Sequence, residues 1–348
     1  MYSLLYIHSL QKTFTPICVY LCASVVLISG CISLSGGTPD WVANPKSAYP
    51  ESHYLVAVGE GDTRRAAENS AAANLSRIFE AHIESDERLL DQSRETGKGF
   101  ERTTDFTADI NILSAQTLYN IQHAEAWQDG KGRVHAVAYL DRRETAAIYR
   151  DKIDEQTTRV NFLLAQAEQT NDLLKKYATL RAANRHAAEA KYLLRQLKVI
   201  HPRSVPGATP GYTENNIRKA LAETAKQIRV QIGVEGDDDQ RMTSVLEELI
   251  TRYGFVVGTS AVLEIDGRVA VNDTGQRTAD LVFVRYELVV QIKNAAGNVL
   301  VSANEKGREG HVSLSEARVR SFRTLENAIK AGAAQRLDAY FDSLVDAK

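Results

Sequence analysis

The chain has little cysteine, which excludes a disulfide-stapled protein. Its three cysteines, Cys18, Cys22 and Cys31, all lie within the first tenth of the 348 residues. A disulfide framework needs cysteines spread through the fold, so none is expected. Metal-ligating patterns are missing as well. The eight histidines form no HExxH motif and no pair at a ligand spacing, and no metal site is predicted.

The chain also has no large excess of positive or negative charge. The chain has 42 basic and 44 acidic side chains, a formal net charge of −2. Nucleic-acid binding needs a basic face that neutralises phosphates, so nucleic acid is not an expected partner. Catalytic and cofactor motifs are equally absent from the sequence. Gly59-Glu60-Gly61 lacks the third glycine of a dinucleotide fingerprint and predicts a plain strand-to-helix turn, and Asp237–Asp239 predict a helix cap. We therefore predict no catalytic residue, no cofactor and no enzyme.

One uncharged apolar segment occurs near the N-terminus, in residues 15–30. A bilayer-spanning helix needs about 20 apolar residues, so this segment is typical of a signal peptide. It ends in Ile28-Ser29-Gly30-Cys31, which resembles the bacterial lipobox. The resemblance implies signal-peptidase recognition at Ile28, Ser29 and Gly30 and lipid attachment at Cys31. An ordinary signal peptide with a chance cysteine and a retained membrane helix are the alternatives.

Acyl chains on Cys31 would make the membrane the first partner of this protein. Two or three chains give an effectively permanent anchor, whereas one chain is marginal. Residue 32 is isoleucine rather than aspartate. By resemblance to bacterial lipoprotein sorting, this favours an outer-membrane anchor with domains facing the periplasm. Exposure at the cell surface stays open.

The pattern of residues predicts an α+β fold of two α/β sandwich-type domains, sheets covered by helices, joined by a long helical connector after the lipoprotein signal peptide. The predicted segments are a signal peptide (1–30), a lipidated tether (31–38), a first α/β domain (39–141), the connector (142–201), a Pro/Gly linker (202–212) and a C-terminal α/β domain (213–348). The connector has no proline or glycine and predicts either one long helix or two helices broken near Gln169–Asn171.

Within the two domains, apolar periodicity predicts the main elements. In the first domain these are a strand at 54–59, a helix at 64–90 capped by Thr63, a strand at 105–127 and a partner strand at 134–140. In the second they are strands at 228–234, 255–257, 261–265, 281–292 and 299–303, a helix at 240–253 and one final helix at 315–344.

A tryptophan at position 41, Pro50, the YLVAVGEG strand and turn, and the alanines that open the following helix resemble the LPP20-like family of twenty-kilodalton outer-membrane lipoproteins. The resemblance covers about residues 39–140. It implies a surface or periplasmic structural protein that binds partners rather than one that catalyses a reaction. Through element order and the YGFVV segment alone, the C-terminal domain resembles the TolB N-terminal or CsgG-like fold.

Two tryptophans are the candidate binding surface. Trp41 and Trp127 could stack on a sugar or a peptidoglycan fragment, but packing against the small-residue face of the helix at 64–90 is favoured. Basic side chains at Arg142-Arg143 and at Arg318, Arg320 and Arg323 predict solvated helix faces.

The sequence is compatible with three functions. The first is a lipid-anchored, non-enzymatic structural or docking component in flagellar or cell-envelope assembly, with protein partners in the envelope. The second is a regulatory lipoprotein that reaches across the periplasm to activate a peptidoglycan synthase, and the third is an enzyme with a dispersed site. A straight connector would favour the reaching role, and a packed hairpin would favour a compact structural subunit. A homo-oligomer is an open alternative.

Overall fold

The computed structural model describes residues 37–95, 118–278 and 280–345, with only the backbone described for 84–95. The first unit contains α1 (Asp40–Ala43), α2 (Pro45–Ala48), β1 (Tyr54–Gly61), α3 (Arg64–Glu95), β2 (Gln122–Gln128) and β3 (Val134–Asp141). The strand predicted at 105–127 begins only at Gln122, because residues 118–121 form a turn, and residues 105–117 lie outside the described ranges.

The first sheet is antiparallel, with the strand order β1-β3-β2. Helix α3 begins where Thr63 accepts a hydrogen bond from the N–H of Ala66 at 3.2 Å, so the predicted cap is confirmed. The helix packs on β1 so closely that a Cβ on Gly59 would lie 2.0 Å from the backbone nitrogen of Ala71. This close approach explains the glycines of the predicted strand-to-helix turn.

The connector is a pair of helices, α4 (Arg142–Gln169) and α5 (Leu173–Ile200), and this is the second of the two predicted alternatives. Asp172 begins α5 by accepting hydrogen bonds from the backbone N–H groups of Leu174 and Lys175. The two helices contact each other along their length and form a hairpin. Residues 202–212 contain a 3-10 turn and the short helix α6 (Val205–Ala208).

The last unit contains α7 (Glu214–Gln227), β4 (Arg229–Glu235), α8 (Arg241–Arg252), β5 (Val256–Val257), β6 (Leu263–Thr278), β7 (Leu281–Asn294), β8 (Val299–His311), α9 (Leu314–Ala328), a π turn (Ile329–Ala333) and α10 (Ala334–Ser343). Helix α7 was not predicted. The predicted final helix is confirmed at 314–343, where the π-helical residues Ile329–Ala333 join α9 and α10 without a break. β6 and β8 are much longer than predicted.

The second sheet has the order β5-β4-β6-β7-β8, parallel from β5 to β6 and antiparallel from β6 to β8. One face is covered by helices and carries the core side chains Val230, Ile265, Leu288, Val290 and Ile292. The opposite face is open and carries exposed polar side chains. These two units of sheet and helix confirm the predicted α+β class.

The hairpin takes part in the cores of both units. At its open end, Tyr149, Ile153 and Leu197 pack with the sheet and helix of the first unit. At its closed end, Leu174 and Tyr177 pack with the sheet and helices of the second. The hairpin therefore acts as a shared core element between the units rather than as a free rod.

Candidate functional site

The residues predicted for lipid attachment lie outside the described part of the chain. These are Ile28, Ser29, Gly30 and Cys31, and the description begins at Gly37. The anchor therefore stays a prediction. None of the helices in the described ranges is both long and apolar enough to cross a bilayer.

Trp41 lies in α1, which contacts β3. Its side chain is only 7% exposed, so most of the ring is unavailable for stacking on a ligand. Strand alternation places Val137 of β3 on the sheet face opposite α3, and Val137 is also buried. Trp41 therefore serves the packing of the N-terminal segment on the sheet.

Trp127 lies on the sheet face opposite α3, since it pairs with His135 and its neighbour Ala126 packs with Ala67 of α3. The predicted packing of Trp127 against α3 is therefore wrong. The ring is half-buried and lies 5.5 Å from the His135 ring, between centroids. His135 Nε2 is 3.7 Å from a carboxylate oxygen of Asp129. The two tryptophans therefore do not form a single exposed platform.

Three tyrosines form a cluster on the same face. Tyr49 lies 5.6 Å from Tyr54 and 5.0 Å from Tyr139, between ring centroids. Burial, with the nearby Glu125 carboxylate, raises the pKa of Tyr49 to about 12. Because the phenol stays neutral at ordinary pH, the cluster is a packing feature with polar tips.

A polar cluster joins the hairpin to the second unit. Arg181 of α5 lies 2.6 Å from Asp338 of α10, and the Tyr253 hydroxyl donates to the same carboxylate oxygen at 2.8 Å. Tyr177 donates in turn to the carbonyl of Tyr253 at 3.2 Å. The cluster fixes α5 against α10 and against the end of α8, and sequence periodicity carries no signal for it.

The prediction of a solvated helix face is wrong for Arg142 and confirmed for the second cluster. Arg142 is half-buried, and its guanidinium donates to backbone carbonyls of four residues: Glu51, Tyr54, Val199 and Ile200. Burial lowers its pKa. The cluster Arg318, Arg320 and Arg323 is exposed on α9, as predicted.

The perturbed titratable groups have structural causes. Burial raises the pKa of Tyr149 and Tyr177, both inside cores. The Arg277 guanidinium lowers the pKa of Asp273 to about 2 on an exposed strand. The Asp237 carboxylate accepts hydrogen bonds from two backbone N–H groups at the start of α8, as expected of a helix cap.

Two cavities in the described part of the chain are candidate ligand sites. One, of about 380 Å³, lies between α4 and residues 207–211 and is lined by Arg150, Asp151 and Asp154. The other, of about 550 Å³, is a shallow hollow on the open face of the second sheet. Among the described residues, no three His, Cys, Asp or Glu side chains are grouped so that they could hold a metal ion.

Comparison with known families identifies the first unit. Residues 39–141 match the LPP20 lipoprotein family. The predicted resemblance is thereby confirmed over this segment, which is less than a third of the 348 residues. The match supports a lipoprotein of the cell envelope. The TolB-like or CsgG-like resemblance of residues 213–348 stays a prediction.

Similar solved structures are distant. A secreted protein of Helicobacter pylori is 15% identical, with 85% of this chain and 99% of that chain covered and a TM-score of 0.39. A minor lipoprotein of Acinetobacter baumannii is 13% identical, with 31% of this chain and 92% of that chain covered and a TM-score of 0.25. These scores are too low to carry a functional conclusion. No curated protein matches the sequence.

Proposed function

We propose that this protein is a lipid-anchored, non-enzymatic lipoprotein of the outer membrane. Its two units would face the periplasm and act as a structural or docking component in flagellar or cell-envelope assembly. Cys31 would carry the acyl chains. The LPP20 match supports the envelope location, and the lipobox supports the anchor.

The observation that supports a compact docking subunit is the packing of the hairpin into both cores. A straight connector would have reached about 90 Å, whereas arms of 28 residues span about 42 Å. This shorter span favours a compact subunit over a regulator that reaches across the periplasm to a peptidoglycan synthase.

The non-enzymatic part of the proposal rests on the causes of the shifted pKa values. Within the described ranges, the groups whose pKa is strongly shifted are buried tyrosines and an ion-paired carboxylate. Neither of the two cavities is lined by them. A catalytic site would bring such groups together in one cleft.

Membrane fractionation tests the anchor. After an alkaline carbonate wash, which removes peripherally bound protein, Cys31→Ser should be found in the soluble fraction rather than in the membranes, because the acyl chains would be lost. Cys22→Ser, within the predicted signal peptide, is the matched control and should leave the protein in the membrane. Retention of Cys31→Ser protein of mature length in the carbonate-washed membranes would contradict the anchor.

Site-specific photocrosslinking in intact cells tests the docking role. Crosslinkers at Gln231 and Glu264, exposed on the open face of the second sheet, should capture another envelope protein. Recovery of monomer alone from both positions, at native expression levels, would contradict docking at this face.

A further inference from the structure

The far end of the β6-β7-β8 ribbon carries an unusual group of exposed apolar side chains. Seven large apolar side chains are exposed among the described residues, and two of them lie here: Leu281 at 40% and Val312 at 67%. Val282 pairs with His311, so Leu281 and Val312 lie together just beyond the last strand pair.

Behind the apolar end lies a pair of arginines. Arg285 and Arg308 are directly opposite each other on the open face of β7 and β8, and both are exposed. Like charges directly opposite each other on neighbouring strands are destabilising in water. An anionic group that approaches this face from outside the chain would relieve the repulsion.

The Arg308 side chain extends toward the apolar end. Its guanidinium lies 4.7 Å from the centre of the Phe283 ring and donates to Gln276 at 2.8 Å. Phe283 is only two residues from Leu281, which corresponds to about 7 Å along a strand. The positive charge of Arg308 therefore lies near Phe283, two residues along β7 from the exposed Leu281.

On the open face of the ribbon, the side chains change from apolar to basic with increasing distance from this end. On the open face of β7, Leu281 and Phe283 are followed by Arg285 and only then by Glu287. On the same face of β8, Arg308 and Lys306 follow Val312. Apolar side chains backed by basic ones are the pattern of a protein surface that enters an anionic lipid interface. Asp280, an acidic side chain at the end itself, opposes this charge order.

We propose that this end of the ribbon, defined by Leu281, Val312, Arg285 and Arg308, is a second membrane-contact surface that binds anionic lipid. The apolar side chains enter the headgroup region, and the two arginines bind lipid phosphates. This contact is independent of the proposed acyl anchor.

Vesicle co-sedimentation of the mature chain carrying Cys31→Ser tests the contact without acyl chains. The protein should bind vesicles of phosphatidylglycerol and phosphatidylcholine more tightly than vesicles of phosphatidylcholine alone. Arg285→Gln with Arg308→Gln should weaken binding to the anionic vesicles about 25-fold, because each basic side chain contributes about fivefold at such a surface. Leu281→Ser with Val312→Ser should weaken binding to both kinds of vesicle, and Asp280→Asn should strengthen it.

Matched controls come from other parts of the second unit. Val299 is 49% exposed at the start of β8, and Arg229 is exposed at the start of β4. Val299→Ser and Arg229→Gln should bind vesicles like the parent chain. Circular dichroism and urea unfolding of each variant separate a lost contact from a lost fold.

Three results would overturn the proposal. The first is equal binding by the ribbon variants and the controls, and the second is an absence of binding to either kind of vesicle. The third is displacement of the protein from the vesicles by millimolar inorganic phosphate, which would indicate a site for free phosphate instead of a lipid surface. A contact with an acidic protein would be recognised as crosslinking at Leu281 in cells without vesicle binding in vitro. Loss of vesicle binding would leave the fractionation result for Cys31 unchanged, so the two proposals fail separately.

Discussion

Arg142, the first residue of α4, donates a hydrogen bond of 2.8 Å to the carbonyl of Ile200, the last residue of α5. The final carbonyls of a helix have no partner within the helix, and a cation at this end is favoured by the helix dipole. The same guanidinium donates to the carbonyl of Glu51 at 2.8 Å. One side chain therefore closes the open end of the hairpin and joins it to the segment before β1.

Replacing Arg142 by methionine should destabilise the protein by about 2–3 kcal/mol, because half-buried carbonyls would lose charged donors. Urea unfolding measures the change. Arg143, the next residue, is exposed, and Arg143→Met should stay within about 0.5 kcal/mol of the parent. Equal stability of the two variants would show that the hydrogen bonds of Arg142 do not hold the hairpin.

Gly59→Ala should cost about 3 kcal/mol or more, because the new methyl group would overlap the backbone of α3 and force the helix away from β1. A Cβ at this position meets Ala71 N at 2.0 Å and Ala67 O at 2.6 Å. The matched control is Gly258→Ala, since a Cβ on Gly258 meets no atom within 4 Å. Thermal unfolding of both variants compares them, and a Gly59→Ala protein as stable as the control would contradict the close packing.

Apolar alternation predicted the strands that are half-covered by a helix, such as 54–59 and 134–140. It failed for the far parts of β6 and β8, residues 272–278 and 304–310, which contain almost no apolar side chains. Pairing with β7 holds these parts in the sheet. The length of β6 and β8 therefore depends on pairing with residues distant in sequence. A local pattern of apolar residues contains no information about that pairing.

The same limit applies to single side chains. The sequence places Arg142 beside Arg143 on a helix, and nothing local distinguishes the half-buried residue from the exposed one. The partners of Arg142 lie 57 to 91 residues away along the chain. Trp41 and Trp127 were recognised as notable residues, yet the faces they occupy follow from the β2–β3 register and from the position of α1.

His186 should make the hairpin sensitive to mild acid. Its Nδ1 lies 2.6 Å from the side-chain oxygen of Gln156, and burial together with Arg185 and Arg159 lowers its pKa below the usual 6.5. A histidine whose pKa is lowered on folding stabilises the folded state above pH 6.5, and that stability is lost as the pH falls through the lowered pKa.

Urea unfolding between pH 7.5 and pH 5 checks this dependence. The parent protein should lose stability over this range, and His186→Gln should lose less because it removes the titrating group. Gln156→Glu places a carboxylate beside the ring, which should raise the pKa of His186 and reduce the loss on acidification. Identical pH slopes in the parent and in His186→Gln would assign the acid sensitivity to other groups.

Arg181 and Asp338 should be energetically coupled across the contact between the hairpin and the second unit. The Arg181 side chain is only 17% exposed, and its guanidinium lies 2.6 Å from Asp338 Oδ1, which also accepts a hydrogen bond from Tyr253. Loss of either partner leaves the other without its counter-charge. We expect Arg181→Met and Asp338→Asn each to destabilise the protein, with a coupling of about 1 kcal/mol in the double-mutant cycle.

A second ion pair across the same contact serves as a reference for this coupling. Arg185 and Asp342, one helical turn further along the same two helices, form a longer and more exposed pair at 3.4 Å and provide the comparison. Their coupling should be less than half as large, because solvent screens both side chains. Equal coupling in the two pairs would mean that the burial of Arg181 does not strengthen its ion pair with Asp338. The contact between α5 and the second unit would then depend on apolar packing in the core around Tyr177.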